Sequence, residues 1–419
     1  MNKRALVTLM TAAGLLSSSA AHAGYDFGDW LSVAGFGTIG AYQSDTDNVR
    51  YKADNRARAG SEGDIRMDGD TILAVQGTVN PTGQLKGVVQ LVSHKKIDGT
   101  TYDGSWRPLT EWAYLGWAAS PDLHIKLGRV VAPLFMISDA RNLGYAQTAV
   151  RPFQVMYGLN PITNLDGSTV SWDQHLGNTD LTWTGLYGKT SVATASGAYR
   201  INKVFGGALK ATHGDWTGRV GYTHFDLDLT LTPTYMASYD FLRSRTSPAC
   251  DNCTSVIAER TPLSGIKVKM LTAGMLYEHE AYAVQAEFTT RLGNSLAVPD
   301  TKGWYVQTSR RWDAWTPYLR YGEMTIADHP GLTGTAPYVA TSNEKVLFGN
   351  ATRKEWGLGV RWDFAPKVAL KLDYTMLTST FPNSTAGVIS PPTAGGSLNE
   401  FDKDKGQVNV ITLNLDFVF

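Results

Sequence analysis

Apolar and polar residues alternate along many short segments of this chain. Between 355 and 364 the even-numbered residues are all apolar, whereas Glu355, Arg361 and Asp363 lie among the odd-numbered ones. The segment 407–419 repeats the pattern with its apolar residues two positions apart. Because successive side chains of an extended chain point to opposite faces, this period of two predicts strands with one apolar and one polar face.

The pattern recurs often enough to predict an all-β chain. The predicted strands cover residues 31–42, 70–80, 84–96, 108–120, 123–130, 169–176, 180–190, 204–213, 216–229, 265–278, 281–292, 302–311, 315–328, 353–364, 367–380 and 407–419. Short turns rich in Gly, Pro, Asn and Asp strictly alternate with long connections. The long connections are 43–69, 97–107, 131–168, 230–264, 327–352 and 379–406. This sorting predicts an antiparallel up-and-down barrel with the turns at one rim and the long loops at the other.

The polar faces of these strands carry charges of both signs, which a soluble sandwich would not bury without partners. No run of apolar residues after position 23 is long enough for a transmembrane helix. A chain that crosses a membrane without such helices must form a closed barrel, so we predict a transmembrane β-barrel of about 16 strands around a watery lumen. The alternative is a soluble exported β-protein whose charges face solvent, and it would fractionate into the periplasm or medium.

The N-terminus has the pattern of a secretory signal peptide. Lys3 and Arg4 precede an uncharged, mostly apolar run, and residues 17–23 are small and polar apart from His22. We therefore predict removal of residues 1–23 by cleavage after Ala23, with residues 24–419 forming one barrel domain. Export to an oxidising compartment also predicts a disulfide bond between Cys250 and Cys253, the only two cysteines.

Composition and motifs exclude several other functions. The chain has 38 basic and 38 acidic residues, so no overall positive field favours nucleic acid as a partner. No P-loop, dinucleotide fingerprint or nucleophile elbow occurs, and the histidines show no metal-binding spacing. We therefore expect no enzymatic activity, no cofactor and no metal site.

The segment 110–117, a short turn and then Leu127-Gly128-Arg129 resemble the strand pair that precedes the third loop of the trimeric general porins of Gram-negative outer membranes. The layout of the whole mature chain and its terminal phenylalanine are also similar to that family. The resemblance implies an integral outer-membrane protein in contact with lipid and lipopolysaccharide, a homotrimer, and passage of small hydrophilic solutes. It also implies that Phe419 is recognised by the barrel-assembly machinery.

In that family the third loop folds into the lumen and constricts it, which assigns this role to residues 130–168. The implied constriction pairs loop charges with wall charges across a narrow passage. Its candidate residues are Glu111, Asp139, Arg141, Arg151 and Asp166. The candidate basic residues of the lumen wall are Lys86, Arg129, Arg320, Arg361 and Lys371, each of which could equally be a solvated residue without a specific role. Glu111 stands where many members have arginine, and the acidic glycine-rich loop signature is missing, so the ion preference stays open.

Passive diffusion through a water-filled pore is the function that this resemblance implies. One alternative is a substrate-selective porin in which Tyr305 and Tyr318, with Arg320 and Arg361, form a binding track with saturable flux. Another is an outer-membrane adhesin or enzyme that uses the long loops, notably 230–264.

Trimer contacts in the family come from the first strands and the last strand. Gly35, Gly37 and Gly40 of the first strand suit close packing between barrels, and residues 97–107 would latch onto a neighbouring subunit. Gly35 and Gly37 could instead relieve the curvature of the barrel.

Overall fold

The structure of the protein is a computed structural model that describes most of the chain from Gly24 to Phe419. The described residues are 24–45, 49–53, 60–95, 106–157, 160, 162–194, 197–233, 236–237, 240, 262–295, 298, 300–326, 352–380, 399–401 and 405–419. The strands are β1 (Tyr25–Phe27), β2 (Leu31–Ser44), β3 (Val49–Tyr51), β4 (Ile65–Arg66), β5 (Ile72–Val79), β6 (Leu85–His94), β7 (Pro108–Ala118), β8 (Leu123–Val131), β9 (Asn164–Leu176), β10 (Thr179–Thr194), β11 (Gly197–His213), β12 (Trp216–Leu231), β13 (Ile266–His279), β14 (Tyr282–Gly293), β15 (Thr301–Arg310), β16 (Trp315–Ile326), β17 (Thr352–Ala365), β18 (Val368–Thr380), β19 (Asn399–Phe401) and β20 (Lys405–Val418). A short helix, α1, spans Gln154–Tyr157, and a 3-10 turn spans Gly144–Ala146.

Sixteen of these strands form one closed antiparallel barrel, which confirms the predicted fold. Each pairs with its neighbour in the chain, from β5 through β18, and β2 pairs with β5 on one side and β20 on the other. Closure by β2 and β20 leaves no open sheet edge, which a barrel in a membrane requires. None of the helices in the described part of the chain is long and apolar enough to cross a bilayer.

The predicted segments correspond to the sixteen barrel strands, but the connections differ in two places. Strands β10 and β11 stay paired up to Thr194 and Gly197, so only residues 195–196 connect them. Only residues 294–300 connect β14 to β15. The prediction of strictly alternating short and long connections was therefore wrong at these two positions. Between β10 and β11 the reason is that strand pairing extends farther than the sequence pattern indicated.

The alternation of side chains divides the barrel wall into an outer apolar face and an inner, largely polar face. Leu127, Leu319 and Leu358 are exposed on the outer face. Arg320 and Lys371 belong to the inner face and are buried. This is the arrangement expected where lipid lies outside and water inside.

The last strand packs its aromatic rings over the glycines of the first barrel strand. An added Cβ on Gly35 would collide with the Phe419 ring, and one on Gly37 would collide with the Phe417 ring. Phe419 N–H donates to Gly35 O at 2.9 Å, and Gly35 N–H donates to Phe419 O at 2.8 Å. The two glycines therefore make room for rings of their own barrel, and the predicted use of their bare surface for contact between barrels was wrong.

Gly40 differs from these two glycines, because an added Cβ there would meet Asn414 Oδ1 on the inner face. Several predictions fall outside the described residues. They concern the signal peptide 1–23 with its cleavage after Ala23, the pair Cys250 and Cys253, and most of the second loop, 97–105.

Candidate functional site

The connection between β8 and β9 comprises residues 132–163, and we call it the inner loop. Its described residues, 132–157, 160, 162 and 163, lie inside the barrel. Its 3-10 turn contacts β2 and β20, and α1 contacts β15, β16 and β17. The loop is shorter than the predicted 130–168, because β8 and β9 stay paired as far as Val131 and Asn164.

The first part of the inner loop is bound through its backbone to β12 and β14. The Arg219 guanidinium donates to the carbonyl oxygens of Pro133 and Leu134, the latter at 2.9 Å. Glu287 Oε2 accepts the Met136 N–H at 2.9 Å. Charged groups form stronger hydrogen bonds than neutral ones, so these contacts fix the path of the loop along the wall.

Glu287 also binds the second half of the inner loop. The hydroxyls of Tyr157 and Tyr305 both donate to Glu287 Oε1 at 2.5 Å. The Phe153 ring stacks on Tyr305 with a distance of 4.4 Å between ring centroids. One buried carboxylate thus joins two separate turns of the loop to β14 and β15.

Lys371 and Arg361 bind the middle of the loop in the same way. Lys371 Nζ donates to Gly144 O at 2.7 Å and to Ala149 O at 3.2 Å, and it pairs with Asp416 Oδ2 at 2.8 Å. The Arg361 guanidinium donates to Tyr145 O at 2.6 Å and to Gln147 O at 3.0 Å.

Arg320 and Glu355 bind the residues around α1. Arg320 donates to Arg151 O at 2.9 Å, whereas Glu355 accepts the N–H groups of Gln154 and Val155 at 3.1 and 3.2 Å. Arg320 lies 3.4 Å from Glu355 and 3.5 Å from Asp373, and all three side chains are almost fully buried. Each charge thus has an opposite charge or a backbone group beside it, as burial requires.

These contacts change the interpretation of the predicted wall residues. Arg320, Arg361 and Lys371 do face inward, but they are only 1%, 5% and 0% exposed because the inner loop covers them. Tyr305 and Tyr318 are also buried. The binding track predicted along Tyr305, Tyr318, Arg320 and Arg361 is therefore closed to solutes, and that prediction was wrong.

The two arginines of the inner loop likewise bind protein groups. Arg141 donates to Asn160 O at 2.6 Å and to Tyr157 O at 2.9 Å, which ties two parts of the loop together. Arg151 forms an ion pair with Asp70 and donates to Tyr51 Oη at 2.8 Å. Arg151 is buried, so its predicted role as a charge exposed at the constriction was wrong.

Arg129 and Asp166 lie on the outer face of the barrel. Arg129 shares a strand face with the exposed Leu127, and Asp166 shares one with the exposed Val170. The two side chains form an ion pair with a distance of 2.7 Å between Arg129 Nε and Asp166 Oδ1. Their assignment to the lumen wall and to the constriction was therefore wrong. Glu111 is buried at a β-bulge of β7.

Another part of the inner wall carries Lys86 of β6, Lys126 of β8 and Lys210 of β11, which we call the lysine face. None of the three has an ion-pair partner among the described residues, whereas Lys371 on the covered part does. The charge of Asp139, on the inner loop, acts on Lys126 and Lys210. Burial raises the pKa of Asp139 to about 6, partly offset by these lysines.

Sequence analysis identified Lys86 and Asp139 but missed Lys126 and Lys210. The signal was present, because Lys126 alternates with Ile125 and Leu127, and Lys210 follows the outward-facing Leu209. Strand periodicity alone places both lysines on the inner face.

Residues 51–53 of the first long connection also lie in the lumen, which the sequence did not indicate. Tyr51, Lys52 and Ala53 are buried there, and Gln154 Nε2 of α1 donates to Ala53 O at 2.8 Å. The Tyr51 ring packs edge-on against Tyr42 of β2 at 5.6 Å between centroids. This short segment therefore supports the inner loop from its other side.

Comparison with known proteins identifies the family. A model described as Gram-negative porin matches residues 6–381. A search of curated protein sequences found no significant match.

Solved structures with a similar fold are outer-membrane proteins. The outer membrane channel DcaP of Acinetobacter baumannii has a TM-score of 0.53 at 11% identity, covering 94% of this chain and 99% of that one. The anion-selective porin from Comamonas acidovorans has a TM-score of 0.54 at 12% identity, covering 93% and 99%. The trimer form of OmpT, an outer membrane protein of Vibrio cholerae, has a TM-score of 0.51 at 11% identity, covering 93% and 100%. With its family model and its closed barrel, the chain belongs to the Gram-negative porins and is an integral β-barrel of the outer membrane.

Proposed function

We propose that the protein lets small hydrophilic solutes and ions diffuse passively through a water-filled pore that the inner loop narrows. The observation that carries this proposal is the attachment of the loop backbone to side chains of β12, β14, β16, β17 and β18. A loop held in this way keeps a fixed position, so it reduces the cross-section without closing the barrel. A barrel of 16 strands is wide enough to leave an aqueous channel beside such a loop.

The test is single-channel recording of the purified protein in planar bilayers. We expect stable stepwise conductance in potassium chloride. Asp139→Trp should lower the conductance, because it adds bulk on the inner loop near the lysine face, whereas Lys302→Trp, an exposed residue of β15, should not. Folded, membrane-inserted protein that shows no current would overturn the proposal.

We further propose that the protein is a homotrimer that associates through the outer surface of β2 and β5–β8. Porin barrels carry aromatic side chains where they meet lipid headgroups. Among the described strand residues, exposed aromatic side chains are frequent on β9–β18, but on β2 and β5–β8 Trp117 is the single large one. An aromatic-poor surface is better suited to contact with another barrel than with lipid.

Two outward glycines provide a matched test of this surface. An added Cβ has nothing within 4 Å at Gly77 of β5 or at Gly218 of β12, so tryptophan fits the isolated barrel at either position. Gly77→Trp should dissociate the trimer in native gel electrophoresis, while Gly218→Trp should leave it intact. Equal behaviour of the two variants would contradict the proposed contact surface.

Three further proposals concern maturation of the protein. The signal peptide is removed after Ala23, which mass spectrometry of the outer-membrane form would show as a chain starting at Gly24. Cys250 and Cys253 form a disulfide bond, which a mass shift after reduction and alkylation would show.

Phe419 is recognised during barrel assembly, so Phe419→Ala should lower the amount of folded protein in cells more than it lowers refolding of the purified chain.

A further inference from the structure

Two lysines of the lysine face lie in one row across three adjacent strands. In the register of the barrel, Lys86 of β6 pairs with Gly116 of β7, and Gly116 pairs with Lys126 of β8. Neighbouring strands are separated by about 4.8 Å, so the two lysine backbones are roughly 10 Å apart. The residue between them has no side chain, so it leaves space on the inner face between the two lysines.

The side chain of Lys86 lies across this glycine. A Cβ added to Gly116 would be 3.0 Å from Lys86 Cγ and 3.1 Å from Lys86 Cε. The charge of Lys86 acts on Lys126. Lys126 Nζ lies 5.4 Å from the centroid of the Tyr114 ring, which limits where its ammonium group can go. Lys86 thus extends over β7 toward β8, and the two like charges lie close enough to act on each other.

Nearby carboxylates offset the positive charges of Lys86 and Lys126 only in part. No ion pair within the described residues involves Lys86 or Lys126, and the carboxylate charge that acts on Lys126 comes from Asp139 of the inner loop. Lys210 of the same face differs, because the charges of Asp139, Asp173 and Asp180 all act on it. Within the lysine face, Lys126 therefore has fewer opposing carboxylate charges than Lys210.

We propose that Lys86 and Lys126, with Gly116 between them, form a binding site for small divalent anions such as hydrogen phosphate and sulfate. Two ammonium groups directed at one region match the charge of such an anion. The arginines that contact the inner loop, which could bind carboxylates with two parallel hydrogen bonds, are already bound to backbone carbonyls. Solutes that carry a phosphate group would pause at this site and pass in preference to cations. This inference rests on the proposed pore and names the solute class that the pore favours.

The test measures chloride current through the full-length protein in planar bilayers while sulfate is added at constant ionic strength. We expect saturable inhibition by sulfate and by phosphate, and much weaker inhibition by acetate, which carries one charge. Lys86→Gln and Lys126→Gln should each weaken sulfate binding about tenfold, the effect of one positive charge on a divalent anion at about 6 Å in water. Lys210→Gln is the matched control. It should weaken sulfate binding less, because nearby carboxylates already offset the positive charge of Lys210.

Gly116→Val tests the arrangement of the two lysines without changing the net charge of the protein. It keeps both lysines but displaces Lys86 from its position across β7, so it should weaken sulfate inhibition while leaving the reversal potential in potassium chloride nearly unchanged. Inhibition that is equal for sulfate and acetate, or that survives Lys86→Gln and Lys126→Gln together, would overturn the site while the pore itself stands. Absence of chloride current in every variant, the unchanged protein included, would instead refute the pore.

Discussion

The inner wall of this barrel has two regions that use the same kinds of charged side chains differently. Where the inner loop lies against it, Arg320, Glu355 and Lys371 are buried and bind loop backbone or opposite charges. On the lysine face, Lys86 and Lys126 are only partly buried and have no ion-pair partner within the described residues. The comparison shows that facing the lumen does not make a charge part of the pore. The path of the loop decides which of these charges it covers and which it leaves partly exposed.

The largest expected effect is loss of a charge from the covered region. Arg320→Leu would leave the carboxylates of Glu355 and Asp373 buried without their cation. We expect the free energy of unfolding to fall by about 3–5 kcal/mol, the usual cost of breaking a buried ion pair. Urea titration followed by the electrophoretic shift of the folded barrel would measure it.

Arg310→Leu provides the control for this change. Arg310 is exposed and packs its guanidinium 4.8 Å from the Tyr282 ring and 4.7 Å from the Trp312 ring. Its loss should cost about 1 kcal/mol or less. Similar destabilisation by both variants would mean that the buried cluster contributes no more than a surface contact.

A second prediction compares the same substitution in the two regions. Lys371→Gln removes the cation that pairs with Asp416 and binds two loop carbonyls, and it should destabilise the barrel by about 2–3 kcal/mol. Lys126→Gln should change the stability by about 0.5 kcal/mol or less, as substitutions without buried partners usually do. Both variants can be compared in one urea titration. A larger loss for Lys126→Gln would reverse the distinction between the two regions.

The smallest expected effect concerns pH. The pKa of Asp139 is raised to about 6 by burial, so this carboxylate is charged at pH 7.5 and mostly neutral at pH 5. Its loss of charge leaves the lysine face more positive, and preference for chloride over potassium should rise up to about threefold as the pH falls through 6. Reversal potentials in a salt gradient would measure this change. Asp139→Asn should show the higher preference at both pH values, and an undiminished pH response in that variant would assign the titration to another group.

The fold could be predicted from the sequence because a strand period of two is a local property. The pattern located all sixteen barrel strands and placed Arg320, Arg361 and Lys371 on the inner face. Applied more strictly, it also places Arg129 on the outer face with Leu127, and Lys126 on the inner face. Strand register, and not charge, therefore determines which face each of these two residues occupies.

The burial of one region of the inner wall beneath the inner loop could not be predicted in the same way. Whether Arg361 meets water or Tyr145 O depends on the three-dimensional path of residues 132–163, and no local pattern encodes that path. The contacts of Tyr51 with Arg151 and of Ala53 with Gln154 of α1 each join residues about one hundred positions apart in the chain. Long-range contacts of this kind determine the site, whereas local periodicity determines the barrel.

The wall binds the inner loop mainly through its main chain. Carbonyl oxygens of the loop accept hydrogen bonds from Arg219, Arg361 and Lys371, and Glu287 accepts one from a backbone N–H. Every residue has a backbone carbonyl oxygen, and every residue except proline has a backbone N–H. Side chains of the loop that do not take part in these contacts, such as Asp139, are therefore free to vary without loss of attachment. A substitution at such a position can therefore change the charge or size of the inner loop while leaving these backbone contacts in place.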